Sequence, residues 1–241
     1  MYLSPSNMTI ANPDLLTIYE ELDCLLKNVC SSHGLDHAKA VLNHVQLALA
    51  KDTSIDEELK FAIELAALLH DADDHKLFKT TDYENARTLM RNIPSSISEK
   101  AIEMIDLVSC SKNKDSKVNN EYYLFPRYAD RLEAIGKIGV WRCYKYCTTI
   151  NSPLYVSNTI RYRSADELKN TKSRFENYSG QSDSMIDHFY DKLLHLADFE
   201  TDNSYFKEAK KDRMQPIIDT VLLYGKLGYI TADQVIQICA D

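Results

Sequence analysis

The sequence feature that most constrains the fold is a shortage of glycine and proline. The chain has 241 residues with 6 Gly and 6 Pro, where average usage would give about 17 and about 12. Tight turns between strands and the phosphate-binding loops of nucleotide-binding folds both need glycine at positions of positive φ. The shortage therefore disfavours a Rossmann or P-loop site and favours a mostly helical chain.

Helix-start signals along the chain support an all-α fold independently of glycine. Asn12-Pro13 places a capping side chain before a first-turn proline. Four other segments have the capping-box spacing, in which Glu or Gln follows Ser or Thr by three residues; they begin at Ser54, Ser96, Ser164 and Thr231. We predict helices over residues 13–30, 35–51, 55–71, 82–92, 97–110, 120–147, 183–199, 203–225 and 232–240.

Charge and composition narrow the class of partner. The formal net charge is -8 and the mean hydropathy is -0.36, values typical of a globular protein. An acidic chain disfavours a surface for duplex nucleic acid, which needs clustered Lys and Arg, but a metal ion would let an acidic pocket accept phosphate. The longest apolar stretch, Phe61 to Leu69, is too short to cross a bilayer, so no membrane partner is expected.

The cysteines and the first residues bear on the compartment. Six cysteines occur with no CxxC pair, and the start of the chain lacks a basic stretch followed by an apolar one. We therefore expect free thiols and a reducing, intracellular location in the cytoplasm.

One cluster of titratable side chains follows the most apolar segment. Leu59 to Leu69 is apolar on nearly every side and is predicted to be a central, buried helix. It leads directly into His70-Asp71-Ala72-Asp73-Asp74-His75. An unpaired buried charge costs several kcal/mol, so these groups need partners. A bound cation is one solution, and a helix end with solvated acids is the other.

Two further segments place polar side chains on apolar helix faces. His37 shares a face with Val41 and Val45, as a metal ligand or a hydrogen-bonded core histidine, and His44 on nearly the same stripe is the rival ligand. Asp130 shares a face with Ala134, Ile138 and Trp141, as a ligand or the partner of Arg127 or Arg131. Together with His70 and Asp71, these residues make a set of nitrogen and oxygen donors suited to a divalent first-row metal.

The order of these motifs resembles the HD-domain metal-dependent phosphohydrolase superfamily. Four segments carry the resemblance: His33-xxx-His37, AALLHDADDHK ending at Lys76, ADRLEAIG from Ala129 to Gly136, and HFYDKLL from His188 to Leu194. They are similar to the stand-alone branch that contains bacterial nucleoside triphosphate pyrophosphohydrolases. The similarity spans roughly Asp23 to Leu223 and leaves the Asn/Ser/Tyr-rich region 148–182 unaligned.

The resemblance implies a role for particular residues. It implies that His37, His70, Asp71 and Asp130 bind one divalent metal ion, which would be Mn²⁺, Mg²⁺ or another first-row transition metal. Asp74 would position or deprotonate the attacking water, and His33 would orient the site by a hydrogen bond. Phosphate oxygens would be bound by Lys76, Arg131 and Lys192. Residues 76–129 contain no further histidine, so a single metal is expected rather than two.

The expected architecture is an all-α HD-domain helical bundle that forms a single structural unit. Residues 1–147 would form the core, 148–182 a polar insertion or lid, and 183–241 C-terminal helices packed on the core. The expected activity is hydrolysis of a (deoxy)nucleoside triphosphate with release of pyrophosphate. The alternatives are a 5'-nucleotidase-type phosphomonoesterase, a non-catalytic nucleotide-binding protein and a purely structural scaffold. The oligomeric state is left open.

Overall fold

The described structure is entirely helical in its regular elements. A computed structural model describes residues 10, 12–27, 34–52, 54–75, 77–113 and 115–240. Within them there are α-helices and short 3-10 helices but no strand, which confirms the predicted all-α class. The α-helices are α1 (Pro13–Leu26), α2 (Leu35–Leu49), α3 (Glu57–Leu69), α4 (Glu84–Leu89), α5 (Ser95–Val108), α6 (Cys110–Asn113), α7 (Phe125–Glu133), α8 (Gly136–Thr149), α9 (Ala165–Leu168), α10 (Lys172–Asn177), α11 (Met185–Asp191), α12 (Ser204–Leu227) and α13 (Ala232–Ala240).

The chain folds into two compact units. The first takes the described residues up to Asp130 together with Asn203–Phe206, and the second takes Arg131–Asp202 with the described residues from Lys207 onward. In the first unit α3 packs against α2 and α5. The side chains of Ile63, Leu65 and Leu68 are at most 1% exposed, so α3 is the buried central helix that its apolar sequence predicts.

Three of the five predicted helix-start signals act as predicted. The Asn12 side chain accepts hydrogen bonds from the first turn of α1, and the Ser164 side chain accepts one from Glu167 N at the start of α9. Thr231 and Gln234 form a reciprocal capping box, because each side chain accepts from the backbone N–H of the other.

The other two signals were each wrong by two residues. Asp56, rather than Ser54, caps α3 by accepting from Leu59 N at 2.9 Å. The Ser54 hydroxyl donates instead to Asp52. Helix α5 begins after Pro94 with no side-chain cap, so Ser96 already lies inside it. In both cases a competing start residue lies within two positions of the predicted one.

The first unit includes residues 203–206, which we call the return segment. In the sequence they follow Arg131–Asp202, which belong to the second unit. Asn203 Nδ2 donates to Ala48 O at 2.9 Å, at the C-terminal end of α2. The Phe206 ring packs edge-on against Phe125 at 5.1 Å and Tyr128 at 5.6 Å between ring centroids. The return segment therefore completes the hydrophobic core around the start of α7.

The predicted helix over residues 120–147 is interrupted twice. A 3-10 helix, Glu121–Leu124, precedes α7. Extended backbone at Ile135 separates α7 from α8, whose first residue, Gly136, has φ +75°. That φ is strained for any residue with a Cβ. The break therefore lies six residues after Asp130 and gives Gly136 a conformational role.

The predicted helix over residues 183–199 is also broken. Helix α11 ends at Asp191, Lys192 adopts φ -139° and ψ -61°, and a 3-10 helix follows at Leu193–His195. In the same unit α13 packs on α8, and α11 packs on α10 and α8.

The polar region 148–182 is held to the rest of the second unit by hydrogen bonds. Arg174 donates to Asp187 at 2.9 Å and to Asp191 at 2.6 Å, both on α11. Thr159 donates to Asp187 at 2.7 Å and accepts at its backbone oxygen from the Tyr224 hydroxyl on α12. These hydrogen bonds connect the region to α11 and α12, and a lid function stays a prediction.

Two negative findings concern the described residues. Their five cysteines, Cys24, Cys110, Cys143, Cys147 and Cys239, are free thiols, as predicted. No helix in the described ranges combines the length and the apolar content that crossing a bilayer requires.

Candidate metal centre

Three segments of the first unit bring four predicted ligands together. His37 lies in the first turn of α2, after the extended Gly34 that precedes this helix. His70 and Asp71 follow α3 directly, and Asp130 lies on α7. The buried residues of α2 include His37, Val41 and Val45, so His37 faces inward as its spacing predicts.

The two imidazoles and the Asp130 carboxylate form the centre of the site. His37 Nε2 lies 3.2 Å from His70 Nε2. Asp130 Oδ1 lies 3.3 Å from His37 Nε2 and 3.8 Å from His70 Nε2. These donor atoms lie within 4.8 Å of one another.

Asp71 supplies a second carboxylate to the same place. Its Oδ2 lies 3.7 Å from His37 Nε2 and 3.5 Å from His70 Nε2. Ligand atoms that share one ion at about 2.1 Å are about 3 to 4 Å apart. His37, His70 and Asp130 therefore form a group with the spacing for a single cation, and Asp71 lies beside it, within 3.7 Å of both imidazoles.

The tautomer of His70 suits this role. His70 Nδ1 lies 2.9 Å from Ala67 O, and a carbonyl oxygen can only accept, so Nδ1 carries the proton and donates it. The neutral ring then presents its lone pair at Nε2, toward His37 and the carboxylates. One turn at the end of α3 thereby both places and orients the ligand atom.

The charge state of Asp130 is set by its neighbours. Burial by itself raises the pKa of this carboxyl, but the hydrogen bond with His37 and the electrostatic interactions with the His70 and His37 rings lower it to about 2. Asp130 is therefore an anion at neutral pH, which is the form that binds a cation.

His44, the rival ligand, has a different partner. It is 5% exposed on α2, and its Nδ1 hydrogen-bonds to the Tyr205 hydroxyl in the return segment. Among the described residues the group able to hold a metal includes His37 and not His44. Side chains two turns apart on one helix thus have separate roles.

Asp74 and Asp73 differ although they are adjacent. The Asp74 side chain is 16% exposed, and its Oδ1 lies 3.7 Å from Nδ1 of the exposed His75. Asp73 instead accepts from Asn85 N at 3.0 Å and from Ala86 N at 2.9 Å, at the start of α4. The sequence pattern did not predict this role of Asp73. Its hydrogen-bond partners at the start of α4 lie 12 and 13 residues further along the chain, and no local pattern links them to Asp73.

The predicted phosphate-binding and orienting residues are distributed as follows. Arg131 is 1% exposed and follows Asp130 on α7. Lys192 lies near Cys143 of α8. The hydrogen bond with Cys147 and burial raise the pKa of the Cys143 thiol, and the positive charge of Lys192 partly offsets this rise. His33 and Lys76 lie outside the described residues. Substrate binding by this set stays a prediction.

Comparison with known proteins identifies a relative. The uncharacterized protein L803 of Acanthamoeba polyphaga mimivirus is 39% identical over 214 residues, which cover 80% of this chain and 88% of L803. The chain belongs to the same family as L803. A scan against protein-family models gave no match.

Solved structures identify the fold of this chain. A Lactobacillus plantarum protein matches with TM-score 0.66 and 24% identity, covering 90% of this chain and 98% of that one. Bacillus subtilis YpgQ in complex with ADP matches with TM-score 0.62 and 22% identity, covering 88% and 94%. A Bacillus thuringiensis HD-superfamily hydrolase matches with TM-score 0.60 and 21% identity, covering 88% and 97%. These matches show that the chain shares its fold with an HD-superfamily hydrolase, which is the fold that the four motifs predict.

Proposed function

We propose that this protein is a metal-dependent phosphohydrolase that acts on nucleoside triphosphates and releases pyrophosphate. The observation that carries the proposal is the convergence of His37, His70, Asp71 and Asp130, in which an oxygen of each carboxylate lies 3.3–3.8 Å from both imidazole Nε2 atoms. ADP in the crystal structure of YpgQ adds support for a nucleotide, since YpgQ has the same fold.

The four ligands define how the chain holds its cofactor. A Mn²⁺ or Mg²⁺ ion bound there would polarise a phosphate oxygen and make a nearby water more acidic. The two carboxylates balance the two positive charges of the ion, and the imidazoles add neutral lone pairs. A net-neutral centre of this kind lets a chain with a formal net charge of -8 accept an anionic substrate.

The remaining roles follow from charge and position. Asp74, three residues beyond Asp71, would accept a proton from the attacking water and orient it for in-line attack on phosphorus. Lys76, Arg131 and Lys192 would bind phosphate oxygens and stabilise the charge that moves to the leaving group. Attack at the α-phosphorus releases pyrophosphate, whereas attack on a monophosphate releases orthophosphate.

A nucleotide panel tests this proposal. Pyrophosphate and orthophosphate are measured separately with Mn²⁺ or Mg²⁺, for nucleoside triphosphates, diphosphates and monophosphates. We expect pyrophosphate from triphosphates, and loss of product with Asp71→Ala. Full activity of Asp71→Ala with retained metal would overturn the assigned centre.

Two other outcomes identify the alternatives. Orthophosphate from monophosphates alone would make the protein a phosphomonoesterase of the 5'-nucleotidase type. Nucleotide binding without any product would make it a non-catalytic nucleotide-binding protein. The free cysteines further support a reducing, intracellular setting, where nucleotides are available.

A further inference from the structure

The turn that carries Asp71 and Asp74 is tied to α4 by three hydrogen bonds. The two oxygens of Asp73 accept from Asn85 N at 3.0 Å and from Ala86 N at 2.9 Å. In return, Asn85 Nδ2 donates to Ala72 O at 2.8 Å. Both segments therefore contribute a side chain to the connection.

Helix α4 needs this connection because its own sequence supplies no cap. Tyr83, the residue before the helix, has φ +57° and makes no side-chain cap, and Asp82 also has positive φ, at +52°. The first N–H groups of a helix have no partner within it. Asp73 fills this need from another part of the chain, and its negative charge is favourable at a helix N-terminus.

The same bonds fix the backbone between two functional positions. Asp74 N donates to Asp71 O at 3.2 Å, and Asp74 O accepts from Leu77 N at 2.8 Å. Asp73 therefore lies between Asp71 and Asp74 inside a hydrogen-bonded turn. A rotation of the Asp73 peptide would move both neighbours, one a metal ligand and the other the candidate water-orienting residue.

We propose that Asp73 and Asn85 are positioning residues, which set the orientation of Asp71 and Asp74 by anchoring their shared turn to α4. The proposal rests on the proposed function of this centre. It assigns Asp73 no direct contact with the ion, since both its oxygens accept from backbone N–H groups of α4. Three carboxylates within four residues thus divide into a ligand, an anchor and a candidate base.

Binding of Mn²⁺ alone, followed by electron paramagnetic resonance on the full chain well below its unfolding temperature, tests the inference. We expect Asp73→Asn to weaken Mn²⁺ binding about tenfold, the lower end of the range for residues that support ligands. We also expect a lower kcat at saturating Mn²⁺, because Asp74 moves with the turn. Asn85→Ala removes one of the three bonds and should give a smaller loss in the same direction.

Arg91→Ala is the matched control. Arg91 forms a two-pronged ion pair with Glu21 just beyond α4, with N–O distances of 2.6 and 2.7 Å. Its removal loosens the other end of α4 without touching the turn, so Mn²⁺ affinity and kcat should stay within about twofold of wild type. A purely structural role for Asp73 would lower the unfolding temperature, as Arg91→Ala can, without weakening Mn²⁺ binding.

The outcomes separate the two proposals. If wild type binds Mn²⁺, Asp71→Ala does not, and Asp73→Asn binds as wild type with unchanged kcat, the positioning role is wrong and the metal centre stands. If wild type fails to bind Mn²⁺ or any divalent cation, both are wrong. Should Asp73→Asn fail to fold, Asn85→Ala decides, and unchanged Mn²⁺ affinity and kcat in that variant overturn the inference.

Discussion

At the scale of single residues, two histidines on one helix have different partners. His37 lies 3.2 Å from His70 Nε2, whereas His44 hydrogen-bonds to Tyr205. Both are buried, so burial alone does not distinguish a ligand from a core histidine. The side chain that each histidine contacts, His70 or Tyr205, distinguishes the candidate ligand from the core histidine.

This difference leads to a paired prediction. His37→Gln should weaken Mn²⁺ binding by at least about 100-fold, because the loss of a ligand exceeds the loss of a group behind one. His44→Gln should keep Mn²⁺ affinity near wild type while lowering stability through its contact with Tyr205. Mn²⁺ titration and circular dichroism of both variants check this, and equal loss of metal binding in the two would contradict the assignment.

Glu64 leads to a prediction about pH. Burial raises the pKa of this carboxyl, and the hydrogen bond from Gln46 Nε2, at 3.0 Å, only partly opposes the rise. The folded state therefore binds the proton more tightly than the unfolded state. The stability that this proton provides is complete below the ordinary Glu pKa of about 4.3 and is lost as pH rises through the folded value.

Glu64→Gln should remove this pH dependence. Glutamine cannot ionise, yet it keeps an oxygen for the Gln46 amide. The variant should match wild type near pH 4 and be more stable than wild type near pH 7, as measured by urea unfolding at both values. A variant that is less stable at pH 7 would show that the charged carboxylate stabilises the fold.

The sequence predicted which side chains meet better than it predicted the contacts that support them. The resemblance to the HD superfamily grouped His37, His70, Asp71 and Asp130 as candidate ligands, and the structure places them close together. The partner of Asp73 was not, since a cap that comes from twelve residues away leaves no local pattern. Local sequence therefore identifies which groups meet, while the contacts that orient them depend on tertiary packing.

At the scale of elements, helix interruptions escaped prediction more often than helix existence. The apolar periodicity of residues 120–147 continues through Gly136, yet the backbone turns there at φ +75°. At Lys192 the backbone leaves the helical region, at φ -139° and ψ -61°, with neither Gly nor Pro on either side. By contrast, the start of α1 at Asn12 and of α13 at Thr231 could be predicted from capping chemistry alone.

Two glycines at the start of α8 lead to an ordered prediction. Gly136→Ala should cost about 1–2 kcal/mol through its positive φ, since an added Cβ would come no closer than 3.4 Å to its neighbour Arg213. Gly139→Ala should cost more, about 3 kcal/mol or above, because its Cβ would lie 2.2 Å from Ala134 O. Denaturant unfolding of the two variants measures the order, and a larger loss for Gly136→Ala would contradict it.

At the scale of the whole molecule, the two units differ in what they hold. The four proposed ligands lie in the first unit, and the hydrogen-bonded region 148–182 lies in the second. The composition of the sequence predicted an all-α chain but not this boundary, because α7 runs through it without a linker. A ligand that binds the first unit should stabilise that unit directly.

Metal addition therefore has a thermal signature. Mn²⁺ at 100 times its Kd should stabilise the folded protein by about 2.7 kcal/mol, which raises the unfolding transition that includes the first unit by roughly 5–10 °C. Calorimetry with and without Mn²⁺ measures the rise, with Asp71→Ala as the control. A rise of equal size in the control would locate the stabilising ion elsewhere.

The return segment has a consequence for biosynthesis. Residues 203–206 pack on α2 and α7, more than 70 positions after the first unit otherwise ends at Asp130. A ribosome translates the whole of Arg131–Asp202 before it supplies the aromatic side chains that complete the core around Phe125. During translation the hydrophobic core of the first unit therefore stays incomplete until most of the protein has been synthesised. Release of a chain cut short before Asn203 should leave a product that chaperones and proteases recognise as unfinished.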